Sequence, residues 1–188
     1  MGPVVTINSA TLMNKGLEII EAHHLFGLPY SQIDAVVHPQ SVVHSMVEYK
    51  DGSTIAQASP PNMKGPIALA INYPDRTVGA TAPIDWSKAS TWNFAPIDQK
   101  RFPAVALARH CGSVGGALPA IFNASNEVVV DAFIKGQIKF AEIIPTVEKI
   151  VAQYEAQSVP TIRDLADVSA IEEDARHATS LHIAKVAS

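Results

Sequence analysis

The stretch NSATLMNKGLE, residues 8 to 18, holds the densest group of polar side chains in the sequence and decides how its N-terminal region is interpreted. The preceding residues Val4–Ile7 form an apolar, β-branched run after Pro3, which predicts a buried strand. Ser9 has the residue type of a helix cap, and the apolar residues from Leu12 to Ile20 recur with helical spacing. The sequence therefore predicts a strand-to-helix junction.

This junction offers groups that suit an anion and a metal ion. The N-terminus of a helix carries unpaired N–H groups and a partial positive charge, and Lys15 adds a full positive charge nearby. Asn14 and Glu18 stand four residues apart on one helix face, with Lys15 beside them. One surface can thus hold a phosphate, with a hard cation near Glu18. The alternative, that Ser9 is only a cap and Lys15 and Glu18 only a solvated pair, stays open from these residues alone.

The bulk composition excludes several classes of protein. The chain has 188 residues, a net charge of −4 and scattered basic residues, so nothing favours nucleic acid binding. No apolar run has the length of a membrane span, which gives no reason to expect a membrane partner. Cys111 is the only cysteine, so no internal disulfide can form, and a reducing compartment is the natural environment.

Turn and helix signals divide the rest of the chain. The first helix is expected to run to about Phe26 and to stop at Gly27, followed by a strand at Ile33–His38. Asp51-Gly52 between two β-capable runs predicts a hairpin of strands 42–49 and 53–58, and a helix should follow over about 66–72. Further helices are predicted at about 105–112, 120–134, 140–156 and 161–187.

These elements predict an α+β protein. Residues 1–72 are interpreted as a mixed α/β, sheet-bearing domain fragment, residues 73–101 as a long ordered linker, and residues 102–188 as a four-helix bundle. Asn123, Asn126 and Glu127 interrupt an apolar helix and are expected to brace the helical domain against the linker.

Several motifs in one order resemble a known family. NSATLMNKGLE, HPQSVVHSMVEYKDGS, PPNMKGPIALA and FNASNEVVVDAF follow the order found in the C-terminal portion of 1-deoxy-D-xylulose 5-phosphate reductoisomerases. The resemblance extends over nearly all of the chain. It implies an enzyme that isomerises and reduces 1-deoxy-D-xylulose 5-phosphate to 2-C-methyl-D-erythritol 4-phosphate for isoprenoid synthesis. That enzyme uses NADPH and Mg²⁺ or Mn²⁺.

The resemblance also implies roles for particular residues. Ser9, Asn14 and Lys15 match contacts to the phosphosugar substrate and its phosphate. Glu18 matches one of three acidic metal ligands, and Lys15 and Glu18 match the catalytic positions. Two further groups match less central positions: Gly2 near the cofactor, and Pro61 and Met63 in the wall of the active site. The family implies a homodimer formed through the sheet-bearing domain, in the bacterial cytoplasm or, less favoured, the plastid stroma.

The sequence departs from the family in what it lacks. It has no glycine-rich dinucleotide-binding unit, and the other two metal acids of the family belong to an Asp-Ser-Glu motif that is absent. The chain is therefore interpreted as a C-terminal fragment that holds neither NADPH nor the metal well and is inactive alone. The alternatives are a non-catalytic assembly module with a residual phosphate pocket, or a phosphosugar-binding domain of another α/β enzyme.

Overall fold

The computed structural model describes residues 2–186 and shows a helix-rich α+β chain with two small sheets. The chain forms two compact units. One comprises the residues up to Ala35 together with those from Asp98 onward, and the other comprises Val36–Ile97. Within the described residues, no helix combines the length and the apolarity that crossing a membrane requires.

The first unit begins with two short-linked helices, α1 (Pro3–Ala10) and α2 (Met13–Phe26). The predicted strand at Val4–Ile7 is therefore wrong. Proline is well tolerated in the first turn of a helix, and α1 gains packing against α2 and against the later helix α5 (Leu118–Ile134), which outweighs the strand preference of its β-branched residues. The end of α2 is as predicted, because Gly27 adopts the left-handed conformation there.

The C-terminal part of this unit supplies its core. Besides α5, it contains helices α4 (Ala104–Val114), α6 (Ile143–Ala156) and α7 (Leu165–Val186). Helix α5 packs against α6 and α7, and α2 packs against α4. One hydrophobic cluster joins these helices and includes Met13, Leu118, Ile121, Phe122, Val147 and Ile150.

Helix α2 thus shares its core with helices that are distant in sequence. The compact units differ in this respect from the three predicted segments, 1–72, 73–101 and 102–188, and that segment division stays a prediction.

The second unit contains the predicted hairpin. Strands β2 (Val43–Glu48) and β3 (Thr54–Ala58) pair antiparallel, and Gly52 has the positive φ that the tight turn requires. Helix α3 (Lys64–Asn72) follows as predicted, two residues earlier than expected.

The predicted strand Ile33–His38 is reduced to β1 (Val36–Val37), which pairs with β4 (Ala95–Pro96). The Ile33 carbonyl accepts a hydrogen bond from Arg109, so it is not available to a sheet.

Candidate functional site

Three polar side chains meet on the first two turns of α2. The amide Nδ2 of Asn14 donates a hydrogen bond to Glu18 Oε1 at 2.6 Å, and the ammonium of Lys15 forms an ion pair with Glu18 Oε2. The side chains of Lys15 and Glu18 are each 43% exposed. The carboxylate is therefore held between an amide and a cation while solvent still reaches both charged groups. This is the clustering that the sequence predicts.

The packing of the other side of α2 explains why these three side chains share an accessible surface. Met13 and Ile19 are buried in the core, and Gly16 lies against α4. A Cβ atom built on Gly16 would lie 2.8 Å from Ala108 Cβ and 3.2 Å from the Ala104 carbonyl oxygen. Because α2 approaches α4 this closely on one side, the half-buried Asn14, Lys15 and Glu18 are left at the accessible side.

Ser9 does not cap α2, contrary to the prediction. It lies in the last turn of α1, and its carbonyl accepts the Leu12 N–H at 3.2 Å. Leu12 itself occupies the N-cap position of α2 with a left-handed backbone, φ 59°, and Thr11 Oγ1 accepts the Met13 N–H at 3.4 Å. The helix break is thus made by Thr11 and Leu12, and a contact of the Ser9 hydroxyl with substrate stays a prediction.

The other predicted site residues occupy exposed positions. Gly2 precedes α1, and its carbonyl accepts hydrogen bonds from Thr6; a Cβ there would have no neighbour within 4 Å. Pro61 and Met63 lie in the second unit just before α3, with Met63 69% exposed. The assignment of Gly2 to a cofactor contact, and of Pro61 and Met63 to a wall of the active site, stays a prediction.

The metal-binding capacity of the described residues is incomplete. Between residues 2 and 186, no group of three or more His, Cys, Asp or Glu side chains is placed to hold a metal ion. Glu18 supplies one carboxylate, which already accepts from Asn14 and Lys15. Mg²⁺ and Mn²⁺ require several oxygen ligands in near-octahedral geometry. Among the described residues, Glu18 is therefore at most one ligand of such an ion.

The structure also shows a brace that sequence reasoning missed. The Arg109 guanidinium on α4 donates to the carbonyls of Tyr30 and Ile33 and pairs with Asp34 at 2.9 Å. The segment that follows α2 is thereby fixed to α4. No local signal marks Arg109, because its partners lie more than seventy residues earlier in the chain.

The polar residues of α5 make contacts within the first unit, and the brace against residues 73–101 stays a prediction. Glu127 accepts hydrogen bonds from Asn123 at 3.2 Å and from Arg176 of α7 at 3.0 Å. It therefore links α5 to α7. Asn126 is fully buried, and its Oδ1 has no hydrogen-bond partner among the described residues.

Comparison with known proteins matches this chain to one family throughout. Residues 58–178 match the DXP reductoisomerase C-terminal domain, and residues 1–26 match the 1-deoxy-D-xylulose 5-phosphate reductoisomerase C-terminal domain. The chain is 57% identical over 176 residues to the 1-deoxy-D-xylulose 5-phosphate reductoisomerase of Kitasatospora griseola, which covers 94% of this chain and 46% of that protein.

Solved structures agree with the sequence matches. The Zymomonas mobilis reductoisomerase in complex with NADPH is 43% identical with a TM-score of 0.89, covering 96% of this chain and 47% of that one. A DOX-P reductoisomerase in complex with NADPH, fosmidomycin and magnesium is 38% identical with a TM-score of 0.89, covering 99% and 47%. The chain spans about half the length of these relatives. It belongs to the 1-deoxy-D-xylulose 5-phosphate reductoisomerase family.

Proposed function

We propose that this chain contributes the substrate-binding helix of an enzyme that converts 1-deoxy-D-xylulose 5-phosphate to 2-C-methyl-D-erythritol 4-phosphate. The reaction uses NADPH and Mg²⁺ or Mn²⁺ and serves isoprenoid synthesis in the bacterial cytoplasm. The observation that supports this function most directly is the half-exposed cluster of Asn14, Lys15 and Glu18 on α2 of a chain in this family. Relatives solved with NADPH, fosmidomycin and magnesium support the choice of cofactors.

The charges of the cluster suit a substrate that carries a phosphate. Lys15 and the Asn14 amide supply hydrogen-bond donors for a phosphate or a sugar hydroxyl, with the Ser9 hydroxyl as a third proposed contact. Binding the dianion remote from the reacting carbons anchors the substrate and orients it. Lys15 then exchanges its contact with Glu18 for one with substrate, which is feasible because an exposed ion pair is worth only about 1 kcal/mol or less.

Glu18 is proposed as one ligand of a divalent metal when the rest of the enzyme supplies the others. Such a metal acts as a Lewis acid on substrate oxygens. The described residues do not complete its coordination, and the sequence contains no dinucleotide-binding unit, so the chain alone is proposed to be inactive. Gly2 near the cofactor, and Pro61 and Met63 along the substrate, are proposed as minor contacts in the complete enzyme.

The hairpin of the second unit supports a proposed homodimer. Met46, Val47, Tyr49 and Ile55 are all between 45% and 63% exposed, although they belong to the β2–β3 hairpin or border it. A two-stranded sheet with apolar side chains exposed in this way gains stability by packing against another surface. The second candidate function, a non-catalytic assembly module, rests on the same observation.

Turnover assays separate these two functions. NADPH oxidation is measured with 1-deoxy-D-xylulose 5-phosphate and Mn²⁺, first for the 188-residue chain and then for a fusion that adds the N-terminal half of the Kitasatospora griseola relative. We expect no turnover above background for the chain and clear turnover for the fusion. Robust turnover by the chain alone contradicts its proposed inactivity, and a folded but inactive fusion favours the assembly module.

Two variants of the active fusion test the role of α2. Glu18→Gln is expected to lower kcat/KM by at least about a hundredfold. Substituting a residue that only hydrogen-bonds to a metal ligand already lowers metal affinity or activity roughly 10- to 100-fold. Glu21→Gln, on an exposed position of the same helix, is the matched control and is expected to leave turnover unchanged. Equal activity of the two variants contradicts the proposed role of Glu18.

A further inference from the structure

The break between α1 and α2 determines whether the proposed phosphate contacts can meet. Ser9 lies at the end of α1, whereas Asn14 and Lys15 lie in the first turn of α2. In one continuous helix, Ser9 would be about 140° from Asn14 and about 120° from Lys15 around the axis, because each residue turns the helix by about 100°. Contacts from all three residues to one phosphate therefore require the chain to change direction between residues 10 and 13.

The hydroxyl of Thr11 contacts the backbone on both sides of this break. It donates to the Ile7 carbonyl of α1 at 3.0 Å and accepts the Met13 N–H of α2 at 3.4 Å. The second bond joins the hydroxyl to the N–H two residues later, which closes a turn over Leu12. No other side chain among residues 2–186 is seen to hydrogen-bond to the backbone of both α1 and α2.

Burial makes this hydroxyl hard to replace. Thr11 is 5% exposed and Met13 is fully buried, so solvent has little access to the Met13 N–H. A buried N–H that loses its acceptor is costly. Leu12 adds a second demand, because its left-handed backbone, φ 59°, is unfavourable for a residue with a β-carbon. The hydrogen bond across Leu12 offsets this preference.

We infer that Thr11 is a positioning residue for phosphate binding. Its hydroxyl fixes the turn at Leu12, and this turn sets the direction in which α2 begins. The Asn14 amide and the Lys15 ammonium are thereby held where they can share one phosphate with Ser9. Thr11 is itself buried and acts only through the backbone. This inference rests on the proposed function of the α2 cluster and deepens it.

Two substitutions of Thr11 in the active fusion test this role. Thr11→Val keeps the branched shape and removes the hydroxyl. We expect it to raise the KM for 1-deoxy-D-xylulose 5-phosphate about tenfold and to lower kcat less than about threefold, because what is lost is binding. Thr11→Ser keeps the hydroxyl and is expected to hold KM within about twofold of the unsubstituted fusion.

Thr179→Val is the matched control. Thr179 is a buried threonine of α7, and its hydroxyl donates to the Ala175 carbonyl four residues earlier at 2.7 Å, as that of Thr11 does to Ile7. We expect both valine variants to lower the midpoint of urea unfolding, but only Thr11→Val to raise KM. An equal rise of KM in Thr179→Val would show that lost stability is the cause and would contradict the inference.

A substitution of Leu12 tests the route through the backbone. Glycine adopts the left-handed conformation freely. Leu12→Gly, combined with Thr11→Val, is therefore expected to fold more stably than Thr11→Val alone and to recover most of the lost substrate affinity. A double variant with the same raised KM as Thr11→Val contradicts this route.

NMR of the 188-residue chain provides a measurement that does not need turnover. In Thr11→Val we expect the coupling between the amide and α protons of Leu12 to leave its left-handed value, and inorganic phosphate to bind about tenfold more weakly. Thr179→Val is expected to change neither. The inference is overturned if Thr11→Val leaves the Leu12 coupling, the phosphate affinity and KM unchanged. Failure of the proposed function looks different, because the unsubstituted fusion would then be inactive and the unsubstituted chain would not bind phosphate.

Discussion

The close approach of α2 to α4 at Gly16 makes the substitution Gly16→Ala a quantitative test of the packing that supports the site. The new methyl carbon would lie 2.8 Å from Ala108 Cβ and 3.2 Å from the Ala104 carbonyl oxygen. The carbonyl belongs to the backbone of α4, so the contact can be relieved only by moving one helix relative to the other. Such overpacking typically costs about 1–3 kcal/mol.

An opposing effect reduces the net change. Alanine is about 1 kcal/mol more favourable than glycine inside a helix. Because the 2.8 Å contact is shorter than normal packing allows, the steric cost should lie in the upper part of that range, about 2–3 kcal/mol. We therefore expect Gly16→Ala to lower the free energy of unfolding by about 1–2 kcal/mol. Urea denaturation followed by far-ultraviolet circular dichroism measures this difference. Unchanged or increased stability would refute the packing argument.

A second substitution distinguishes steric overlap from other causes. Ala108→Gly removes the nearer of the two atoms that the new methyl would meet. If overlap is the cause, the two substitutions should partly compensate each other. The double variant Gly16→Ala, Ala108→Gly is then expected to lose about 1 kcal/mol less free energy of unfolding than the two single variants lose in sum. Additive effects of the two substitutions would show that the methyl groups do not interact.

Three further predictions concern other parts of the first unit. Burial raises the pKa of the Cys111 thiol to about 12, so alkylation by iodoacetamide at mildly alkaline pH should require unfolding; reaction at the rate of free cysteine contradicts this. Gly112→Ala is expected to lower stability by about 2 kcal/mol, because the added methyl would overlap with the Tyr30 ring; an unchanged Tm contradicts it. The side-chain hydrogen bond from Arg163 is the main cause that lowers the pKa of Asp167 to about 2. Because this value lies below that of the unfolded chain, the stabilisation is complete above about pH 4. It is lost as the pH falls towards 2. The difference in free energy of unfolding between the wild type and Asp167→Asn should therefore be present near neutral pH and vanish as the pH approaches 2. A difference that persists at that pH contradicts the lowered pKa of Asp167.

Local signals were sufficient for several elements. The Asp51-Gly52 pair between two β-capable runs predicts the β2–β3 hairpin, because its turn residues and its strands are neighbours in sequence. Gly27 likewise marks the end of α2. The grouping of Asn14, Lys15 and Glu18 follows from helix periodicity alone, and the side-chain contacts confirm that the three residues share one face.

Features that depend on distant residues were not predictable in this way. The run Val4–Ile7 has the composition of a strand, but α1 is stabilised by packing against α5, more than a hundred residues later. The partner of β1 lies in β4, and the Arg109 contacts join two segments far apart in sequence. The type of residue 9 predicts a helix cap, but the two helices are separated by Leu12 in the left-handed conformation, which is uncommon for leucine.

The first turns of α2 are proposed to bind the phosphate of the substrate through Lys15. Titration of inorganic phosphate into the 188-residue chain, followed by backbone amide NMR, tests it most directly. Lys64→Gln provides the matched control, because Lys64 also occupies the first turn of a helix, α3. We expect the strongest shifts to centre on residues 8 to 18, and we expect Lys15→Gln to abolish them and Lys64→Gln to leave them unchanged. Shifts centred elsewhere, or equally strong shifts in the Lys15→Gln variant, would contradict it.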